Sequence, residues 1–218
     1  MAVYDDYIVK GARVLLWQLT ESVDELWTMA LSHGLGQQCK EAIAGIITDK
    51  RRKERLASRL ALSYLGVDKP IKYTEAGRPL LDDGRFVSIT HTAGWVAVAV
   101  ADVPVGIDIE RRGDKAWRVA RRFLNENECE MLMNRGDRES VATLLWSAKE
   151  AAFKLIDCTE VDFTRHLRIE DFQEFINRDM TTPFSFVMRE LRSERQASVS
   201  VECRWTADSV LTLATYAG

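Results

Sequence analysis

Apolar and polar positions along this 218-residue chain recur with two spacings. In residues 49–65, Leu56, Leu60 and Leu65 mark one face of a helix, and residues 140–156 show a second long helical pattern. In full, the spacing predicts helices over 21–33, 37–47, 49–65, 117–123, 126–133, 140–156 and 169–176. Alternating or continuous apolar runs predict strands over 13–19, 71–74, 85–90, 94–101, 105–110, 184–191, 196–205 and 209–217.

Three of these strands follow one another closely between residues 85 and 110. Because only short turns join them, we expect an antiparallel meander. About three strands and one long helix lie on each side of residue 103. The sequence therefore predicts an α+β fold of two similar halves, 1–103 and 104–218, each a small, mainly antiparallel sheet packed on a long helix.

Two carboxylates interrupt the predicted strand VGIDIE over residues 105–110. Side chains two positions apart leave a strand on the same side, so Asp108 and Glu110 stand together and the isoleucines occupy the other face. Like charges at this spacing repel unless a positive group or water separates them. One explanation is an exposed sheet face on which Arg111, Arg112 or other basic residues pair with the acids.

The second long helix is apolar on almost every side and still carries charges. Its sequence over 143–156, TLLWSAKEAAFKLI, includes Lys149, Glu150 and Lys154. A helix with this pattern is normally buried, and a buried charge costs several kcal/mol unless it is paired or bound to an ion. Either an internal salt bridge ties the helix down, or these side chains belong to a functional site.

Asp108, Glu110 and Glu150 are three carboxylates on otherwise apolar elements. Oxygen ligands with no nearby Cys or His pair favour a hard cation, and Mg²⁺ is the usual one because it leaves room for substrate phosphates. The residues therefore predict a metal site at these acids, with Mn²⁺ as an alternative ion.

Basic side chains suited to a phosphate are concentrated in one helix. The run KRRKER over 50–55 and Arg59 supply six of them, most of which we expect on a solvated surface. One or two turned inward would suit a phosphate monoester. Arg78 and His91 are further candidates, although a single histidine is more often a structural hydrogen-bonding group.

Composition narrows the class of protein only slightly. Hydrophobic residues make up 46% and charged residues 29%, and the net charge of -3 gives no indication of nucleic-acid binding. The four cysteines and three histidines lack zinc-site spacing. Early acids and the lack of a long apolar run predict a cytoplasmic protein with no signal peptide or membrane span.

In this order, the motifs resemble those of the 4′-phosphopantetheinyl transferases, of the longer type that activates surfactin synthetase. VGIDIE and WSAKEAAFK, residues 146–154, match the two halves of the family signature at a similar separation. GRPLL over 77–81 and SITHT over 88–92 are similar to two weaker blocks. Arg78 replaces the commoner lysine there, and Thr90 replaces a serine.

The resemblance implies a pseudo-dimeric α+β monomer that moves the 4′-phosphopantetheine arm of coenzyme A to a serine of an apo acyl or peptidyl carrier protein, releasing adenosine 3′,5′-bisphosphate. By matched position, Asp108, Glu110 and Glu150 would hold Mg²⁺. Glu150 would also accept the serine proton, and Lys154 would contact the phosphate under attack. The resemblance assigns the coenzyme A phosphates to Arg52, Arg78, Thr90, His91 and Lys154.

Carrier proteins in this chemistry are usually acidic, so the resemblance also implies a basic docking surface. Six basic residues lie between Arg111 and Arg122, directly after the acid-bearing strand. We expect docking along the segment from Arg111 to Met133, with a merely solvated basic helix as the alternative.

Two other functions stay open on the sequence. One is a different Mg²⁺-dependent phosphoryl or nucleotidyl transferase, although the chain has no Walker loop, glycine-rich phosphate cradle or kinase signature. The other is a catalytically silent coenzyme-A-binding protein, which the intact Asp108, Glu110, Glu150 and Lys154 disfavour.

Overall fold

The computed structural model of the chain describes residues 3–74, 77–92, 94–176 and 183–217. The chain divides into two compact units, Met1–Val103 and Pro104–Gly218. The first unit contains β1 (Val3–Val9), β2 (Ala12–Gln18), α1 (Val23–Ser32), α2 (Gly36–Ile43), α3 (Asp49–Tyr64), β3 (Lys72–Tyr73), β4 (Pro79–Leu80), β5 (Phe86–Thr92) and β6 (Trp95–Ala101). The second contains β7 (Val105–Arg111), α4 (Lys115–Arg118), a 3-10 turn (Ala120–Arg122), α5 (Glu126–Met133), α6 (Arg138–Ile156), α7 (Phe163–His166), β8 (Leu167–Ile169), α8 (Phe172–Ile176), β9 (Phe184–Glu190), β10 (Ser198–Trp205) and β11 (Ser209–Tyr216).

The first unit is an antiparallel sheet of order β1-β2-β6-β5 with α3 packed against β2 and β6. Leu56 and Leu60 of α3 share a core with Trp17 and Val98 of the strands. Helix α3 ends as the sequence predicts, because Gly66 has a φ of +76° that L-residues rarely adopt. The small β3–β4 pair forms a separate antiparallel ribbon.

The second unit is an antiparallel sheet of order β7-β11-β10-β9-β8, and α6 packs across β7 and β11. Leu145 and Ala148 of α6 are fully buried in a core with Val201 and Val210. This arrangement follows from the apolar helix that the sequence predicts, since a helix that is apolar nearly all round must be covered. It places the acid-bearing strand directly beside that helix.

The predicted meander is wrong in its third strand. β5 and β6 pair as expected, but β7 pairs with β11, with Ile107 opposite Leu213. A short turn shows that two strands are close in sequence and does not decide which sheet the second one joins. The apolar strand β11 supplies the partner, so the acids lie on an edge strand of the second sheet.

Several predicted boundaries also change. The predicted helix 37–47 ends at Ile43, and the predicted helix 117–123 divides into α4 and the 3-10 turn. The predicted helix 169–176 divides into β8 and α8. Strand β1 was not predicted, because its two adjacent acids, Asp5 and Asp6, obscure the alternation. The α+β class and the antiparallel pairing of the strands are confirmed.

Within the described part of the chain, every helix is too short or too polar to cross a bilayer.

Candidate active site

Gly106 brings strand β7 and helix α6 into close contact. A Cβ atom at this position would lie 1.9 Å from the backbone oxygen of Ala151. Side chains at positions 106, 108 and 110 leave the strand on one face, so this face is turned toward α6. The sequence therefore needs a glycine here, because any side chain would push the acids away from the helix that carries Glu150 and Lys154.

Asp108 is bound by the last turn of α6. The Lys154 ammonium group donates to Asp108 Oδ1 at 2.7 Å and to the Ile107 carbonyl at 3.0 Å. Asp108 is 5% exposed, so this pair is screened from water on most sides. The positive partner of Asp108 in the structure is thus Lys154, whereas the sequence analysis placed a metal ion beside the acids and Lys154 on the phosphate under attack.

Glu110 is held by a tryptophan. The Trp146 indole N–H donates to Glu110 Oε1 at 3.0 Å, and the indole packs edge-on against Phe123, with ring centroids 5.1 Å apart. Burial raises the pKa of Glu110, and the charge of Asp108 raises it further, while the Trp146 hydrogen bond lowers it. Glu110 is therefore easier to protonate than a solvated glutamate, unless a cation compensates.

Glu150 interacts electrostatically with both strand acids. Burial raises its pKa, the charges of Asp108 and Glu110 raise it further, and Lys154 partly opposes the rise. The structure thus brings together Asp108, Glu110, Glu150 and Lys154, which we call the acidic cluster. As the side chains stand, no group of three or more His, Cys, Asp or Glu residues in the described ranges is arranged to hold a metal ion.

Lys149 binds groups outside the acidic cluster. It is fully buried, and its ammonium group donates to Glu128 Oε2 at 3.1 Å and to the Phe123 carbonyl at 2.6 Å. Burial lowers the pKa of Lys149, and Glu128 opposes this. For this lysine the internal salt bridge is the correct explanation.

A second polar cluster lies in the first unit, between α3 and β5. Arg51 Nη1 lies 3.1 Å from His91 Nε2, and both residues face Glu54, which is 3% exposed. Burial lowers the pKa of His91, and Arg51 lowers it further while Glu54 opposes the shift. A neutral imidazole can accept the arginine N–H. We call Arg51, Glu54 and His91 the Glu54 cluster.

Arg52, the residue that the sequence analysis assigned to a phosphate, does not join this cluster. Its Nε donates to the Ile46 carbonyl at 2.7 Å, which closes the loop before α3. Arg78 lies in a turn where its backbone N–H donates to Thr74 Oγ1 at 3.1 Å. Thr90 is buried and leaves β5 on the face opposite His91. The roles of these three residues stay predictions.

Sequence reasoning missed Gly106, Arg51, Glu54 and Glu128. Gly106 carries a readable signal, since an isolated glycine in a strand pattern often marks a close backbone approach. Arg51 and Arg52 differ by about 100° around a helix, so a pattern of basic residues cannot choose between them without the helix orientation. Glu54 and Glu128 resemble solvated helix acids in sequence and are buried only because of tertiary packing.

Comparison with known proteins agrees with the motifs. Residues 104–209 match the family model of the 4′-phosphopantetheinyl transferase superfamily. The match lies in the C-terminal unit, which contains the whole acidic cluster, and the resemblance inferred from the motifs is confirmed.

Curated bacterial relatives carry names of the same kind. The chain is 36% identical over 84 residues to the 4′-phosphopantetheinyl transferase gsp of Aneurinibacillus migulanus, covering 38% of this chain and 35% of that protein. It is 32% identical over 84 residues to Sfp of Bacillus subtilis strain 168, covering 37% and 38%. It is 32% identical over 112 residues to enterobactin synthase component D of Salmonella typhi, covering 48% of each. The chain thus spans about a third to a half of the length of these relatives.

Proposed function

We propose that this chain transfers the 4′-phosphopantetheine arm of coenzyme A to a serine hydroxyl of an apo acyl or peptidyl carrier protein, with adenosine 3′,5′-bisphosphate as the second product. The observation that supports this most directly is the acidic cluster. Burial and then the charge of Asp108 raise the pKa of both Glu110 and Glu150, and Lys154 contacts Asp108 at 2.7 Å. The cluster has three carboxylates and one ammonium group. The negative charge left over can bind a cation, and a cation can in turn bind the phosphates of a substrate such as coenzyme A.

The chemistry of the donor set, rather than its present arrangement, fits a hard divalent cation. Burial and then the charge of Asp108 raise the pKa values of Glu110 and Glu150, so negative charge is in unfavourable excess here. All the donor atoms of the three carboxylates are oxygens, which Mg²⁺ prefers. We propose that Asp108, Glu110 and Glu150 hold Mg²⁺, or Mn²⁺ in its place. When bound, such an ion would neutralise charge on the pyrophosphate of coenzyme A.

Glu150 and Lys154 then have the reactive roles. A carboxylate beside the proposed ion is a suitable base, and we propose that Glu150 takes the serine proton as the oxygen attacks phosphorus. Lys154 would place its ammonium against the phosphate under attack, where negative charge develops. Its present contact with Asp108 keeps it pointed into the acidic cluster.

The Glu54 cluster supports a phosphate-binding role for the first unit. Neutral His91 and the guanidinium of Arg51 lie together with the buried Glu54 carboxylate beside them. We propose that His91 binds a phosphate of coenzyme A and that Arg51 assists it, in addition to the predicted Arg52, Arg78 and Thr90. Both units have an antiparallel sheet against a long helix, which supports the prediction of two similar halves.

The carrier protein would dock on the segment from Arg111 to Met133, which we call the docking segment. Arg118 pairs with Asp114 at 2.5 Å, and Arg112 stacks over the Trp205 ring at 4.4 Å. A groove of about 510 Å³ lies beside the start of α5, and its lining includes Arg121, Arg165 and Arg168. These three guanidinium groups support the attraction of an acidic partner. A cytoplasmic location and a monomeric state stay predictions.

One assay tests the function. The protein is incubated with coenzyme A, Mg²⁺ and an apo carrier protein, and the intact mass of the carrier is measured. We expect a gain of one phosphopantetheine arm, with release of adenosine 3′,5′-bisphosphate. A gain of a phosphate or a nucleotide would instead support the other transferase class. Binding of coenzyme A with no mass change on any apo carrier would support the silent binding protein.

A further inference from the structure

The proposed chemistry makes no use of Lys149, although this residue is a fully buried charge of the second unit. Its side chain is 0% exposed and its partner Glu128 is 3% exposed. A buried charge is tolerated only when several hydrogen bonds compensate for lost hydration. Lys149 has three acceptors, namely Glu128 Oε2, the Phe123 carbonyl at 2.6 Å and the Phe163 carbonyl at 3.2 Å.

Glu128 also shapes the start of helix α5. It is the third residue of a capping box, in which its carboxylate accepts the Asn125 N–H at 3.0 Å and its own N–H donates to Asn125 Oδ1 at 2.9 Å. The Lys149 ammonium therefore holds the capping carboxylate and the carbonyl just before the cap. Both groups lie in the docking segment, and each is next in the chain to a residue that lines the groove, Leu124 or Asn127.

The same contacts reach the acidic cluster. Phe123 and Phe163, whose carbonyls bind Lys149, place their rings against Trp146, at centroid distances of 5.1 Å and 5.8 Å. Trp146 in turn donates to Glu110. One turn of α6 thus carries both Trp146, which binds Glu110, and Lys149, which binds the docking segment. Both side chains contact Phe123 and Phe163.

We propose that Lys149 is a positioning residue that fixes the start of α5 against the helix of the acidic cluster, so that a docked carrier meets the site in the correct place. This role rests on the proposed function. A positioning role and a purely structural role predict different changes in the Michaelis constants. Loss of folded protein lowers the amount of active enzyme and leaves both Michaelis constants unaltered, whereas a displaced docking segment raises the KM for the carrier alone.

The test uses the double variant Lys149→Met/Glu128→Gln in the full chain. It removes both buried charges together, because a single Lys149→Met change would leave a buried carboxylate without its cation. Glutamine keeps an oxygen that can accept the Asn125 N–H. We expect the KM for the carrier to rise about tenfold and the KM for coenzyme A to stay within about twofold of wild type.

Three further variants serve as a reference, a control and a substitute for the double variant. Arg121→Glu, in the groove itself, provides the reference for a carrier KM shift. Glu25→Gln removes the matching capping carboxylate of α1, where Ser22 and Glu25 form the same type of capping box, and should change neither KM. Glu128→Gln alone keeps the carbonyl acceptors of Lys149. It should shift the carrier KM in the same direction by a smaller factor, and it decides the matter if the double variant does not fold.

Unchanged carrier KM in the folded variants, with a shift in Arg121→Glu, would overturn the positioning role and leave the function intact. Equal shifts in both Michaelis constants would also overturn it. Absence of transfer by the wild-type protein would instead refute the proposed function. Fluorescence anisotropy of labelled apo carrier then still tests whether Lys149→Met/Glu128→Gln weakens carrier binding; equal affinity to wild type would count against the inference.

Discussion

The acidic cluster and the Glu54 cluster place a buried carboxylate in opposite settings. Asp108 is 5% exposed and is accompanied by two further carboxylates and Lys154, whereas Glu54 is 3% exposed and is accompanied by Arg51 and His91. The first set has surplus negative charge and the second has surplus hydrogen-bond donors. The contrast teaches that burial alone does not indicate what a site binds; the charge left over after internal pairing does.

We expect the largest effect from removing a carboxylate of the acidic cluster. Glu150→Gln keeps the size of the side chain and removes the proposed proton acceptor, and Asp108→Ala removes the contact with Lys154. We expect each variant to fold and its transfer rate to fall by roughly 10²–10⁴-fold, the range for loss of a general base. Mass spectrometry of the carrier over time measures this. Glu139→Gln, which changes an exposed residue of the same helix, is the control. Near-wild-type turnover of Glu150→Gln would show that Glu150 is not the proton acceptor.

Separating the strand from the helix should be the next largest effect. In Gly106→Ala, the new Cβ would lie 1.9 Å from the Ala151 oxygen, so β7 or α6 must move. Overpacking of this kind typically destabilises by about 1–3 kcal/mol, and the backbone contact favours the upper end. Thermal unfolding measures the change.

Gly113→Ala is the matched control for that prediction, because nothing lies within 4 Å of a Cβ built there. Its stability should stay within about 0.5 kcal/mol of wild type. A Gly106→Ala protein as stable as Gly113→Ala would mean that the strand and helix are not in close contact.

The sequence pointed to the four residues of the acidic cluster, whose roles stay predictions, and it missed most of their surroundings. Asp108, Glu110, Glu150 and Lys154 were predicted because charged residues on apolar elements violate the burial rule in a visible way. The pairing of β7 with β11 was not predictable, since a strand's partner depends on contacts that are distant in sequence. Lys149 and Glu128 show the same limit, because only packing reveals which charges on a helix are internal.

We expect a smaller effect from removing the hydrogen bond that orients Glu110. Trp146→Phe keeps a ring against Phe123 and removes the hydrogen bond to Glu110. A neutral donor to a charged acceptor contributes about 1.5–3 kcal/mol, so transfer should fall by about tenfold or more. Steady-state kinetics at saturating coenzyme A measures this. A variant with full activity would show that Glu110 needs no fixed orientation.

The smallest effect is a pH dependence in the Glu54 cluster. Burial, aided by Arg51 and opposed by Glu54, holds the pKa of His91 below its usual 6.5. As the pH falls through 6.5, the unfolded chain takes up this proton before the folded chain does, so the free energy of unfolding decreases. The full contribution of His91 is present only above pH 6.5. Denaturant titrations between pH 5 and pH 7 should show a shallower dependence for His91→Gln than for wild type. Identical slopes would contradict a lowered pKa of His91 in the folded chain.

The central claim is that Asp108, Glu110 and Glu150 converge on one divalent ion. An anomalous difference map from crystals grown with Mn²⁺ and coenzyme A tests it most directly. We predict one strong peak within about 2.0–2.5 Å of an oxygen of each carboxylate or of a water that it binds. A peak elsewhere, or none while Lys154 still contacts Asp108, would contradict it.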